Sequence, residues 1–450
     1  MLIEQFFDRG LGHASYLVAD PDAGVAFLVD PDRRLDAYLS AASRLDVLIT
    51  DSFETHVHND YVSGSRALSE LRPITVHAGG AAGLAYPHIE HGDGEVVGVG
   101  ELAVKTIATP GHTPEHVSYL VSALRRADDP QYLFSGGALL VGHIARVDLL
   151  GKDLEEQLAR AAYETLRDRV LPLADYVAVF PTHGGGSACT GEVAGSRWTT
   201  LGFERRHNEI ARAASRDFAS FRAAIAEGLP VAPAYYPKVR ALNAVGAPLP
   251  DRRQLPFLRE TAIAGATLVD PRPPHVFGAG HRPGALNVAG NDSFAARVGA
   301  TVAFGTPLVI LTTDPDQAER LRSQLAIIGY ETVRGYAPPL PPAASAMRID
   351  QLDARTAAAR AGAGAILLDV REESEWRAGH APGALHIPYE LVRDRLGEIP
   401  DGREVIVYCA GGIRSSLVTS MLEASGRAVA NLRGGFTAWR SAGLPVTREA

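Results

Sequence analysis

Glu54-Thr55-His56-Val57-His58-Asn59-Asp60-Tyr61 sets two histidines and an aspartate at alternate positions just past an apolar run, Asp46-Val47-Leu48-Ile49-Thr50-Asp51, that reads as a strand. Residues so spaced after a strand end can converge on one metal ion. Two more histidines sit beside Gly and Pro turns: His112 in Thr109-Pro110-Gly111-His112-Thr113-Pro114-Glu115-His116, and His183 in Phe180-Pro181-Thr182-His183-Gly184-Gly185-Gly186. A single His is more often a core or surface residue than a ligand; the joint pattern points to a metal site. The surrounding chain alternates short apolar runs with turns, and Ala26-Phe27-Leu28-Val29-Asp30 reads as a second strand ending on an acid. Residues 191–245 are rich in Arg and Ala and read as one or two helices and a connection.

The C-terminal half is built on an internal repeat. Asp270-Pro271-Arg272 returns as Asp369-Val370-Arg371, and Gly280-His281-Arg282-Pro283-Gly284-Ala285-Leu286 returns as Gly379-His380-Ala381-Pro382-Gly383-Ala384-Leu385, both 99 residues later. Between the copies, Tyr336-Ala337-Pro338-Pro339-Leu340-Pro341-Pro342-Ala343-Ala344 reads as a stiff linker, because its prolines continue neither a helix nor a central strand. In the second copy, Ala365-Ile366-Leu367-Leu368-Asp369-Val370 and Val405-Ile406-Val407-Tyr408 read as buried strands, and 415–425 as a helix.

Val407-Tyr408-Cys409-Ala410-Gly411-Gly412-Ile413-Arg414-Ser415 therefore places a cysteine in a Gly-rich turn between strand and helix. A thiolate there faces loop N–H groups and the positive end of a helix, which lowers its pKa. Gly411 and Gly412 allow the tight cradle, and Arg414 can pair with an anionic sulfur substrate or fix the loop. The candidate catalytic set is Cys409, Gly411, Gly412 and Arg414. In the first copy Thr312 stands at the cysteine position, followed by Thr313-Asp314-Pro315-Asp316 without the glycines or the arginine. A hydroxyl is a far weaker nucleophile than a thiolate, so that copy reads as a docking module or channel wall.

Composition narrows the class. At roughly 150 residues per domain, 450 residues suggest about three domains. With 46% apolar and 21% charged residues, the chain is an ordinary globular mixture, which excludes extensive disorder and collagen-like or disulfide-framework proteins. The two cysteines, Cys189 and Cys409, lie far apart, which fits a reducing compartment. A net charge of −8 argues against a general nucleic-acid binder. No apolar run approaches the roughly 18 residues that span a bilayer, and MLIEQFFDRG lacks a secretory pattern, so the expectation is a cytoplasmic protein without membrane attachment.

The N-terminal motifs resemble the metallo-β-lactamase superfamily, nearest its persulfide dioxygenase and glyoxalase II branch. His56, His58, Asp60, His112 and His183 stand at matching positions, and Gly142 with Arg146-Val147-Asp148 anchors the alignment downstream. Two positions depart. Tyr61 replaces the second-metal histidine of the hydrolases, which argues against a dinuclear hydrolase. In Phe134-Ser135-Gly136-Gly137-Ala138-Leu139-Leu140, Gly137 replaces the metal-binding aspartate. In the dioxygenases the resemblance implies mononuclear Fe(II) on two His and one carboxylate, with His56 and His112 carried over and the carboxylate missing; zinc is the alternative metal. A His56–His58–His112 site, substitution by Asp60, His143 or Asp148, and loss of the metal all stay open, with His183 a lesser candidate. Cys189 also has a counterpart in dioxygenase relatives, but it reads first as a partly buried loop cysteine.

The Cys409 loop, Asp369-Val370-Arg371, Gly379-His380-Ala381-Pro382-Gly383-Ala384 and Gly434-Gly435-Phe436-Thr437-Ala438-Trp439 resemble a rhodanese sulfurtransferase. Thr200–Asn208 and Ala234–Asn243 look like the stretch joining the two parts in bacterial fusions. The resemblance implies an α+β αββα sandwich at 1–245 followed by two α/β rhodanese-like domains at 246–340 and 346–450. It implies persulfide oxidation combined with sulfur transfer through a Cys409 persulfide, a low-molecular-weight persulfide or thiosulfate as substrate, and a dimer or tetramer. The competing readings are a glyoxalase II-like metallo-hydrolase fused to a rhodanese, and a sulfurtransferase carrying a metal-free lactamase-like scaffold.

Overall fold

The computed structural model describes residues 1–184, 187–189, 195–226, 229–340 and 346–448 of the 450-residue chain. It divides into two compact units: Met1–Ala232 with Tyr236–Asp251 and Ala326–Gly329, and Pro233–Tyr235 with Arg252–Leu325 and Tyr330–Ala450.

The first unit holds two six-stranded sheets. One runs Leu2–Asp8, His13–Asp20, Val25–Val29, Leu48–Phe53, Thr75–Gly79, Ile89–His91 in sequence order. The other runs Thr199–Thr200, Ala178–Pro181, Tyr132–Gly136, Val117–Ala123, Leu102–Ala108, Val96–Val99. The strand His13–Asp20 is buried along its whole length, and its period of two sorts its side chains. Ala14, Tyr16 and Val18 join Phe27, Phe53, Tyr119 and Phe134 between the sheets. Leu17 and Ala19 point outward, onto Leu35, Tyr38, Ala41 and Ala42 of the helix Leu35–Arg44. The second sheet is backed likewise by Leu158, Ala159, Ala162 and Tyr163 of the helix Lys152–Glu164. The layers are thus helix, sheet, sheet, helix, as the resemblance implies. The Tyr16 hydroxyl, deep in the core, donates to the Pro181 carbonyl at 2.6 Å, so its burial leaves no orphaned donor.

The strands Val25–Val29, Leu48–Phe53, Leu102–Ala108, Tyr132–Gly136 and Ala178–Pro181 end at Asp30, at Glu54–His58, at Thr109–His112, at Gly137 and at His183. Val25–Val29 pairs in parallel with Leu48–Phe53, and Tyr132–Gly136 in parallel with Ala178–Pro181. The loops that leave these ends hold the histidines in one buried cluster.

The second unit holds two sheets whose strand pairs are all parallel. One orders Leu286–Asn287, Thr267–Asp270, Leu308–Leu311, Val333–Ala337; the other orders Asp350–Leu352, Val429–Leu432, Val405–Tyr408, Ile366–Asp369, Leu385–His386. The sequence repeat is a repeated clasp. Arg272 grips Asp270 with Nε and NH2 and donates to the Gly280 carbonyl at 2.9 Å. Arg371 grips Asp369 in the same way and donates to the Gly379 carbonyl at 2.8 Å. Phe277 stacks on His281, and Trp376 on His380. The repeated motif therefore holds a loop to a strand end; the bidentate fork gives it geometry as well as charge.

Two expectations change. Among the described residues between 201 and 245 there are four short helices, Leu201–His207, Glu209–Ala214, Phe218–Ile225 and Tyr236–Val245, where one or two were expected. The side chains of Asn208 and Asp217 each accept backbone N–H bonds and start a new helix, which divides the run. The proposed linker begins later than read: Tyr336 and Ala337 close the strand Val333–Ala337, and Pro341–Ser345 lie outside the described residues.

Candidate metal centre and cysteine site

Three histidines of the cluster are oriented by a partner on one ring nitrogen, and the fourth stands beside an acid. Thr55, whose N–H and hydroxyl both donate to the Asp30 carboxylate (2.7 and 2.8 Å), lies 2.9 Å from His56 Nδ1. His58 Nε2 lies 3.2 Å from Asp30 and 3.3 Å from Glu54. His112 Nδ1 donates to the Arg146 carbonyl at 2.6 Å. His183 Nδ1 stands 3.3 Å from an Asp60 carboxylate oxygen. The opposite nitrogens, His56 Nε2, His58 Nδ1, His112 Nε2 and His183 Nε2, are buried without a hydrogen-bond partner among the described residues.

These nitrogens face one another. His56, His58 and His183 bring their donor atoms within 4.8 Å, and so do His112, His183 and Cys189. Burial and the neighbouring imidazoles push His56 well below the ordinary histidine range, and burial with His183 holds His112 at about 3. Burial also acts against charge on His58, but Asp30 and Glu54 outweigh it and raise the group to about 10. That fixes a proton on Nε2 between two carboxylates and leaves Nδ1 turned to the cluster. His56 and His112, kept neutral, turn orphaned lone pairs toward a divalent cation, which would displace the second proton that Asp30 and Glu54 keep on the His58 ring.

His116 is not a fifth donor: Thr109 holds its Nδ1 at 2.8 Å, and the Gly137 N–H donates to its Nε2 at 2.9 Å. Gly137 is also held by its carbonyl, which accepts from Ala145 N–H. A Cβ here would stand 2.8 Å from the Ala145 methyl and about 3 Å from the His112 ring. The place of the absent carboxylate is therefore filled by packing. Gly137→Asp should lower stability by about 1–3 kcal/mol in a chemical-denaturation series and bring no gain in bound metal. Unchanged stability with more metal would show that a carboxylate fits after all.

Two of the proposed substitutes are held elsewhere. Asp148 is gripped by Arg146 at 2.6 Å through both oxygens, and His143 Nδ1 bonds the Ile144 carbonyl. Asp60, the third, stands at the cluster itself, with one carboxylate oxygen 3.3 Å from His183 Nδ1. Tyr61 donates its hydroxyl to the Asp30 carbonyl and stacks near His13 and His58, which occupies the second-metal position with a ring. Cys189, read as partly buried, is fully buried, with Sγ 3.8 Å from the Tyr236 hydroxyl, and burial pushes its thiol well up. A cavity of about 230 Å³ is lined by Phe7, Arg9, Pro181, His183 and Arg197, so one histidine of this cluster forms part of its wall.

Cys409 sits at the end of Val405–Tyr408, just before the helix Ile413–Ala424, and is 2% exposed. The N–H of Gly412, at φ 98°, donates to Sγ at 3.1 Å. That left-handed backbone turns the loop around the sulfur. From the far side the Phe436 N–H donates to the Cys409 carbonyl at 2.7 Å, and a Cβ on Gly435 would strike that carbonyl. Arg414 is bidentate to Glu375 at 2.7 and 2.9 Å, so its first task is to tie the loop to the helix Glu373–Ala378. In the other copy the Thr312 hydroxyl donates to Gln317 at 2.7 Å and accepts from the Asp314 N–H.

A rhodanese-like domain model matches residues 352–442. A sulfurtransferase of Allochromatium vinosum is 42% identical over 82 residues, 18% of this chain and 77% of that protein. The chain belongs to the rhodanese sulfurtransferases, fused to a metallo-β-lactamase fold. The fusion's N-terminal part is 29% identical over 191 residues to human mitochondrial persulfide dioxygenase ETHE1, covering 41% of this chain and 68% of that protein. A metallo-β-lactamase structure from Staphylococcus aureus aligns with a TM-score of 0.68 at 26% identity, over 75% of the fusion and 98% of that chain. No helix among the described residues is long and apolar enough to cross a membrane.

Sequence reasoning missed the carboxylates behind the fusion's histidines. Asp30 accepts from Thr55, Thr182 and His58, and these contacts outweigh burial to hold it at about 2. The available signal was a strand ending on an acid, which does not show where that acid points.

Proposed function

We propose that this fusion oxidises the terminal sulfur of a low-molecular-weight persulfide at the His56–His58–His112–His183 cluster and moves sulfane sulfur through Cys409. The observation that carries the first half is the set of converging, partnerless imidazole nitrogens in a fold similar to a persulfide dioxygenase. Fe(II) is the metal of choice, and when bound it supplies O₂ activation. The balance is RSSH + O₂ + H₂O giving RSH, sulfite and two protons.

The chain's own residues set the ligand state. Asp30 and Glu54 hold the proton of His58 on Nε2, the Arg146 carbonyl holds that of His112 on Nδ1, and Thr55 aims His56. Arg9 and Arg197 line the cavity and favour a carrier thiol bearing negative charge. Residues 1–245 then form the oxidising part, 246–340 a copy without a nucleophile, and 346–450 the transferase.

At the second site the Cys409 thiolate attacks the outer sulfur of thiosulfate. The new S–S bond forms as the bond to the sulfonate sulfur breaks, and sulfite leaves with the electron pair. An acceptor thiolate, or sulfite, takes the outer sulfur and restores Cys409. Sulfite is product of one site and co-substrate of the other, so the tether keeps it local.

Glutathione persulfide given to the iron-loaded chain in air should yield sulfite and glutathione with one O₂ consumed per persulfide. Hydrolysis of an acyl-glutathione to carboxylate and thiol, with no O₂ uptake from the persulfide, would place the site among the hydrolases.

A further inference from the structure

The copy that lacks a nucleophile abuts the loop of the copy that has one. Ser416, on the helix that follows Cys409, donates to the Asn287 side chain at 2.5 Å, and the Asn287 N–H donates to Ser420 on the same helix at 2.9 Å. The helix Phe294–Thr301 of the first copy packs on the turn Tyr389–Leu391 of the second. Arg297, on that helix, lies within electrostatic reach of Cys409, Arg414 and Tyr389. It is half-buried, and its hydrogen bond goes to the neutral side chain of Asn291 at 2.8 Å. Among the described residues it makes no ion pair.

Charge at this place is lopsided. Arg414 is neutralised by Glu375. Burial raises Glu372, and burial with the neighbouring Glu372 raises Glu390 to about 8, so the two together carry less than their formal charge near neutrality. Arg297 thus brings a cation without its own counterion toward a sulfur already cradled by the Gly412 N–H. A half-buried guanidinium in that position is an anion-binding group.

We propose that Arg297 of the first copy completes the Cys409 site, binding the sulfonate end of thiosulfate, or free sulfite, and selecting dianionic sulfur donors over neutral ones. The first copy would keep its fold because it supplies this arginine. The proposal rests on the sulfur-transfer reading of Cys409 for its meaning, but not for its test.

The test is thiosulfate binding by calorimetry to the full chain carrying Cys409→Ser, which cannot turn over, with and without Arg297→Ala. Affinity should fall about tenfold without Arg297, recover in part with Arg297→Lys, and depend less on salt in the alanine variant. In the Cys409 chain, Arg297→Ala should raise KM for thiosulfate and leave KM for the uncharged donor dimethyl trisulfide unchanged, a split that general loss of structure does not produce. Equal affinity with and without Arg297, or no thiosulfate binding at millimolar concentration, overturns the proposal. Arg297-dependent binding in a wild-type chain that does not transfer sulfur would instead remove the reading of Cys409 and leave the anion site in place.

Discussion

Cys409→Ser should abolish thiosulfate:cyanide sulfurtransferase activity, a loss of at least about 10³-fold, with the fold intact. Serine matches cysteine closely in shape, and the Gly412 N–H that meets Sγ at 3.1 Å can donate to a hydroxyl. The loop is held by bonds that do not involve the sulfur: Phe436 N–H to the Cys409 carbonyl, Arg414 to Glu375, and Asn431 to Ser415 and to the Gly412 carbonyl. What serine lacks is chemistry, since its oxygen cannot carry a transferable sulfane sulfur. Mass spectrometry of the wild-type chain after thiosulfate should show one added sulfur atom on the peptide containing Cys409, and none in the variant. Sulfite formation from glutathione persulfide should persist, because the His cluster lies in the other unit. Turnover at the wild-type rate in the variant would remove Cys409 from the mechanism.

The parts legible in the sequence were those with a local signature. A strand, a Gly-rich turn and a helix announce the Cys409 loop within nine residues, and alternating histidines after a strand announce the other site. The 99-residue repeat resolves into two Arg–Asp clasps because each motif is a closed local network. What was not legible depended on convergence. Asp30, 24 residues before Glu54, becomes the carboxylate that orients His58 only when two parallel strands end side by side. Cys189 reaches His112 and His183 through a loop whose path no periodicity encodes. The short helices between 201 and 245 were hidden because Arg- and Ala-rich composition favours helix throughout, while Asn208 and Asp217 act only as caps. Arg297 carries no motif of its own; its placement depends on packing between the copies.

His112→Ala should strip the metal from anaerobically purified chain and, with it, persulfide oxidation, while thiosulfate sulfurtransferase activity through Cys409 continues. His112 is the donor whose orientation is best fixed, its Nδ1 proton committed to the Arg146 carbonyl at 2.6 Å and its Nε2 buried and open to the cluster. With Gly137 closed to a carboxylate, the remaining donors number fewer than a site with an aspartate would have, so each one weighs more. Loss of an orienting neighbour alone typically weakens metal binding by about 10–100-fold, and loss of the ligand itself should exceed that. Elemental analysis should give about one iron per wild-type chain, as a mononuclear site requires, and little in the variant. His112→Gln, which keeps volume and polarity, guards against a folding defect and should bind metal nearly as poorly. One zinc per chain in place of iron would shift the site toward hydrolysis. Metal content untouched by His112→Ala would move the centre onto His56, His58 and His183, a triad whose donors converge without it.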